Sequence, residues 1–229
     1  MFVPLHDDTP LRVIRFQYVT LAIIAANVVI FLMTGAFAGD QAVEAVAAGF
    51  GVVPAELTHR GPLDPALNPI PEPATLITYM FIHGGWVHLL TNMLFLWVFA
   101  DNVEDAFGYF AFLLFYLLTG IAGGLTHVLM APSSASPLIG ASGAVSGVIA
   151  AYMLLYPRAR IWILLFMRLP IRIGAIWVLG GWFALQVVSL LLAGEDGVQV
   201  AWWAHIGGFL SGLAITFVLR SRLLIRIGD

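Results

Sequence analysis

The sequence predicts an all-α fold: a polytopic membrane bundle of six transmembrane helices, with a long, partly interfacial loop between the first and the second. Three observations carry that expectation. Hydrophobic residues make up 61% of the 229 residues and charged residues only 10%, where a soluble domain carries about 25% charged residues. The mean hydropathy is +0.96. Six apolar stretches stand near the roughly 20 residues a spanning helix needs, and none contains Asp, Glu, Lys or Arg.

The stretches follow in chain order. The first covers about residues 17–38, with VTLAIIAANVVIFLMTG at its centre. Ala36-Phe37-Ala38 at its end is like a signal-peptidase site. The apolar run is long for a signal peptide, however, and it follows Arg12 and Arg15, so a retained first helix is expected. Residues 39–75 are too polar to span. They hold Asp40, Glu44, Glu56, Arg60, Asp64, Glu72 and six prolines. Residues 41–50 are mildly amphipathic, and short helices at the membrane interface are expected there. The second stretch is about 78–100, the third about 106–130, and the fourth, a short one, about 141–156. Between the third and fourth, APSSASPLIG at 131–140 reads as a loop. Residues 157–172 form a connector with Arg158, Arg160, Arg168 and Arg172; the fifth and sixth stretches are about 173–193 and 202–219.

The arginines set an orientation. With a cytoplasmic N-terminus, nine of the ten basic residues, all of them Arg, fall inside and only Arg60 falls outside. An even number of spans places both termini on the same side. The acidic connector 101–105 also falls inside, but acidic residues carry little weight in this rule. The whole chain, 1–229, reads as one domain. The bare architecture suggests a bacterial inner membrane. The net charge of −3 with no basic stripe argues against a nucleic-acid ligand. The absence of Cys excludes disulfides, thiol catalysis and Cys-ligated metals.

Polar groups at membrane depth are expensive, which makes them functional candidates. Ser142 opens the fourth stretch in Gly140-Ala141-Ser142-Gly143-Ala144-Val145-Ser146-Gly147. Alone it also fits an N-cap or a small residue for helix packing. Ala144 rules out the G-x-S-x-G elbow of soluble hydrolases. His205 sits in Ala204-His205-Ile206-Gly207-Gly208, at the matching depth of the sixth stretch. Gly143 with Gly147, and Gly208 with Gly212, form G-x-x-x-G pairs that let two membrane helices approach closely. Packed that way, His205 reaches Ser142 and can act as general base, then general acid. No acidic residue lies inside a span to complete a triad, so a Ser–His dyad is inferred. In the second stretch, His88 and Asn92 are four apart and share a helical face. With the Ser142 backbone N–H they would hold a developing oxyanion, although an interhelical hydrogen-bonded pair is the structural alternative. Metal binding by His83, His88 and His205 is disfavoured: H-E-x-x-H is missing and no carboxylate lies near. No cofactor is expected.

His83-x4-His88-x3-Asn92, Gly140-x-Ser142-Gly143 and Ala204-His205-x-Gly207-Gly208 together resemble the rhomboid family of intramembrane serine proteases, in order, spacing and placement on spans two, four and six. The resemblance implies hydrolysis of peptide bonds in or beside a substrate's transmembrane helix. It implies Ser142 as nucleophile, His205 as base, and His88 and Asn92 as oxyanion donors. Gly140 would leave room near the oxyanion; His83, Gly143 and Gly208 would be supporting residues. The partners implied are single-span or other transmembrane proteins within the bilayer; the oligomeric state stays open. Two departures stand out. Where some members carry a Tyr one turn after the nucleophile, this chain has Ser146, and the Trp-Arg pair of many first loops is absent from 39–75. A non-catalytic binder of membrane clients is the main alternative. A small transporter is disfavoured by the lack of charged residues in the spans.

Overall fold

The computed structural model describes residues 2–37, 39–60, 69–166, 168–192 and 202–228. The chain is mostly helical. β1 (Phe2–Asp7) leads into α1 (Tyr18–Thr34), and three short helices follow: α2 (Asp40–Phe50), α3 (Pro54–Leu57) and α4 (Thr75–Thr78). Then come α5 (Trp86–Phe107), α6 (Tyr109–Met130), α7 (Ser142–Leu155), β2 (Arg160–Leu165), β3 (Leu169–Gly174), α8 (Ala175–Leu192) and α9 (Trp202–Ile227). Among the described residues α6, α8 and α9 are each long and apolar enough to cross a membrane. Glu72–Phe81 with α5 makes a fourth candidate if that bent pair is one span, and α1 and α7 are shorter apolar helices. Asp64, the residues around it and the end of the fifth stretch at residue 193 lie outside the described residues, as does Ala38.

The second stretch differs from the expected 78–100. The short helical segment Glu72–Phe81 meets α5 at 82°. Gly84 and Gly85 separate them, and paired glycines favour a break in a helix. At its other end α5 runs on to Phe107, through what reads in sequence as an acidic connector. Those acids are held inside the protein. Glu104, wholly buried, accepts the backbone N–H of Val19 at 3.0 Å and of Thr20 at 2.7 Å, and the Thr20 hydroxyl at 2.6 Å. Asp105 accepts the N–H groups of Arg12, Val13 and Ile14 at 2.7–2.8 Å. The first N–H groups of a helix lack partners within it, and here a carboxylate from α5 caps α1. Gly108, at φ +80°, ends α5 and begins α6.

The all-α expectation fails at one end. β1, β2 and β3 form an antiparallel sheet in that order, with a bulge between Pro4 and His6. The Arg-bearing connector is therefore a hairpin. Its alternation buries Ile161 and Ile163 while Arg160 stays exposed, the period-two pattern of a half-buried strand. Asp8 accepts the Arg160 N–H at 3.0 Å and pairs with the Arg172 guanidinium. Arg12, Arg158, Arg160, Arg172 and Arg220 surround a hollow beside Leu155 and Tyr156, at the end of α7 away from Ser142.

α7 is the centre of the bundle; eleven of its fourteen residues are buried. It meets α9 through glycines. A Cβ on Gly208 would overlap the Gly143 carbonyl, and one on Gly212 would come within 2.5 Å of the Gly147 Cα. Without side chains at these positions the two backbones touch, as small-residue faces in membrane helices allow. The segment before α7 is tied down by backbone bonds: Val52 and Leu138 exchange two, at 3.0 and 2.8 Å, and the Gly140 N–H donates to the Tyr79 carbonyl at 2.9 Å.

Candidate active site

Ser142 is the first residue of α7. The Gly143–Gly208 contact brings the start of α9 alongside it. His205, one turn before the contact, places Nε2 2.8 Å from the Ser142 Oγ. At that distance the hydroxyl can donate to an imidazole whose Nε2 is bare, the arrangement that activates a serine. Both side chains line a cavity of about 850 Å³. His88, Asn92, His127 and Trp182 also line it.

Among the residues marked out in the sequence, the structure gathers His88, Asn92, Ser142 and His205 around that cavity. The Asn92 amide donates to the His88 carbonyl one turn earlier, at 2.9 Å, and is buried. Gly140 has φ +113°. A Cβ there would lie 2.5 Å from His88 Nε2, so the glycine makes room for the imidazole. His83 is buried behind the site, and its ring meets that of His88 edge-on at 4.9 Å. Gly143 and Gly208 act one step removed, through the helix contact. Among the described residues no group of three or more His, Asp or Glu side chains converges as metal ligands.

The surroundings of His205 go beyond what the motifs name. The Ser146 hydroxyl turns back to the Ser142 carbonyl at 2.6 Å. α8 supplies the neighbours instead. The Trp182 ring lies 6.1 Å from that of His205, tilted by 38°. One turn later the Gln186 Oε1 is 2.9 Å from His205 Nδ1. Gln186 carries no motif. The available signal is that it is the one side-chain amide in α8, and polar groups in membrane helices mark functional positions.

A family model, the rhomboid domain, matches residues 71–222, more than half of the chain. The chain belongs to the rhomboid family. Its curated relatives include RHOMBOID-like protein 6, mitochondrial, of Arabidopsis thaliana, 31% identical over 63% of this chain and 43% of that protein. RHOMBOID-like protein 2 of the same plant is 33% identical over 64% of this chain and 42% of its own length. Rhomboid protein 1, mitochondrial, of Saccharomyces cerevisiae is 30% identical over 61% of this chain and 40% of its own. The chain thus matches less than half the length of each. The matched segment of this rhomboid holds the bent pair, α5 to α9 up to Arg222, and every residue of the cavity named above. Family and apolar helices together describe an integral membrane protein.

Proposed function

We propose that the chain is an intramembrane serine endopeptidase that cuts peptide bonds in or next to the transmembrane helices of other membrane proteins. One observation carries the reading: the 2.8 Å contact between Ser142 Oγ and His205 Nε2, set in a cavity of about 850 Å³. Membership of a family whose members are generally serine proteases supports it.

The chemistry follows from the geometry. Ser142 Oγ attacks the scissile carbonyl carbon as its proton passes to His205 Nε2. The carbonyl oxygen becomes an oxyanion, held by the Ser142 N–H at the start of α7, by His88 and by Asn92. The partial positive charge of the helix N-terminus favours the anion there. His205 returns the proton to the leaving amine, and the C–N bond breaks. Water, deprotonated by His205, then hydrolyses the acyl-enzyme and restores Ser142.

In this reading α1, α5, α6, α7, α8 and α9 are six spans of one domain covering 1–229, and the 39–75 segment rests in the interface. The fourteen residues of α7 reach about 21 Å at 1.5 Å each, short of a hydrocarbon core about 30 Å thick. Ser142 therefore lies below the membrane surface, and the cavity brings water to it. The termini face the cytoplasm of a bacterial cell and the cavity opens to the other side.

The test is cleavage of a labelled single-span substrate by purified protein in liposomes. Wild type is expected to cut, and Ser142→Ala and His205→Ala to lose activity at least a thousandfold. Equal cleavage by either variant overturns the dyad. Binding without cleavage by wild type favours a non-catalytic client-binding protein.

A further inference from the structure

We propose that Gln186 is a positioning residue: its side-chain oxygen accepts the His205 Nδ1–H and so holds the Nε2 lone pair toward Ser142. The inference rests on the Ser142–His205 reading above and supplies an orienting group where the described lining of the cavity holds no acidic residue.

The argument is one of donors and acceptors. A neutral imidazole has one N–H and one bare nitrogen. Ser142 can pass its proton to Nε2 only if Nε2 is the bare one, so Nδ1 must carry the hydrogen. That tautomer is favoured when an acceptor faces Nδ1. The Gln186 oxygen stands there at 2.9 Å, while Ser142 Oγ stands 2.8 Å from the opposite nitrogen. The two bonds fix the ring in rotation as well as in protonation. Gln186 lies one turn beyond Trp182, whose ring also meets His205, so one face of α8 presents both groups.

The amide is neutral, and that shapes the expectation. The titratable groups facing His205 across the cavity are His88 from α5 and His127 from α6, while α7 presents Ser142 and α8 presents Trp182 and Gln186. No Asp, Glu, Lys or Arg is among the described residues lining the cavity. Gln186 therefore orients the imidazole without the charge by which a carboxylate would also stabilise the imidazolium. A carboxylate placed at 186 would add that charge.

Three variants and two readouts test the idea. Gln186→Leu is expected to lower kcat roughly tenfold to a hundredfold, with KM within about twofold. Gln186→Glu, close in size, keeps an acceptor; its activity is expected to survive, with the acidic limb of kcat/KM moved to higher pH. Gln186→Asn is expected to fall between wild type and Leu. A residue that only packs would leave the His205 tautomer in place, and Gln186→Glu and Gln186→Asn would keep no more activity than Gln186→Leu. Independently of turnover, ¹⁵N-histidine spectra report the His205 tautomer, assigned by the signal lost in His205→Ala. The expected result is the Nδ1–H form in wild type and a shift toward the other tautomer in Gln186→Leu. If that shift occurs in a protein that cuts nothing, the positioning role stands and the protease reading falls. If the His205 tautomer is unchanged in Gln186→Leu, the positioning role is overturned, whatever the wild-type activity.

Discussion

At Gly140 the backbone takes φ +113°, a conformation that side chains other than hydrogen rarely permit, and the position of an added Cβ falls 2.5 Å from His88 Nε2. Two penalties therefore meet at one atom. The strained backbone costs about 1–3 kcal/mol, and the methyl displaces the imidazole proposed to hold the oxyanion. Gly140→Ala is expected to fold with a lowered Tm and to lose kcat roughly a hundredfold, the scale of a lost oxyanion donor. Steady-state kinetics in detergent with a thermal melt beside them check this; unchanged kcat removes the spacer role. Residues of this kind were legible in the sequence because each breaks a local rule. Ser142, His205, His88 and Asn92 are polar at apolar depth, and Gly140 stands two residues before a helix start. Gln186 is polar at depth too. Its meaning depends on a partner nineteen residues on and on another helix, and nothing in the spacing links the two. The place of Ser146 was legible as a departure; that α8 supplies the ring beside His205 was not, since Trp182 is an ordinary residue of an apolar helix until α8 and α9 are packed.

Among the elements, α1 depends on α5 for its start. Gln17 provides no side-chain cap, and the exposed N–H groups of the first turn find Glu104 instead, in a site where the carboxylate is wholly buried. A carboxylate at a helix N-terminus gains from the helix dipole and from charge-assisted bonds. Glu104→Gln keeps the shape but turns an N–H of the amide against donors it cannot bond. The expected loss is about 2 kcal/mol of stability, on the scale of a hydrogen bond to a charged group, with cleavage at low temperature little changed. Reversible unfolding in mixed micelles reads it, and an unaltered midpoint would remove the cap from the account. In the sequence Asp101, Glu104 and Asp105 interrupt an apolar run and read as a connector. The tertiary partners of Glu104 and Asp105, more than eighty residues earlier in the chain, are what let α5 continue. The hairpin is hidden for a related reason: four arginines dominate 157–172, and the alternation of Arg160, Ile161, Trp162 and Ile163 lies beneath that charge. By contrast the contact of α7 with α9 was legible, because Gly143 with Gly147 and Gly208 with Gly212 need nothing but close approach to make sense.

For the molecule as a whole, the distribution of arginine argues a direction. Five arginines surround the hollow at the Leu155 end of α7, while the cavity at the Ser142 end has none among its described lining residues. A guanidinium at the bilayer centre costs about 2.5–3.5 kcal/mol by insertion scales, and loops rich in Arg stay cytoplasmic. The Ser142 end should then face away from the cytoplasm, with segment 131–140 outside and the end of α9 inside. Because the chain has no cysteine, single cysteines report this without background. Ser133 and Ser221 are exposed, one just before α7 and one near the end of α9, and neither touches the cavity. A membrane-impermeant maleimide added to spheroplasts is expected to label Ser133→Cys at once and Ser221→Cys only after permeabilisation. The reverse pattern would place the Ser–His pair on the cytoplasmic side, and substrates would then have to present their scissile bonds from within the cell. Labelling of both in intact spheroplasts would mean an odd number of crossings between the two sites is wrong, and with it the count of six spans, since α7, α8 and α9 must each cross once to put Ser133 and Ser221 on opposite sides.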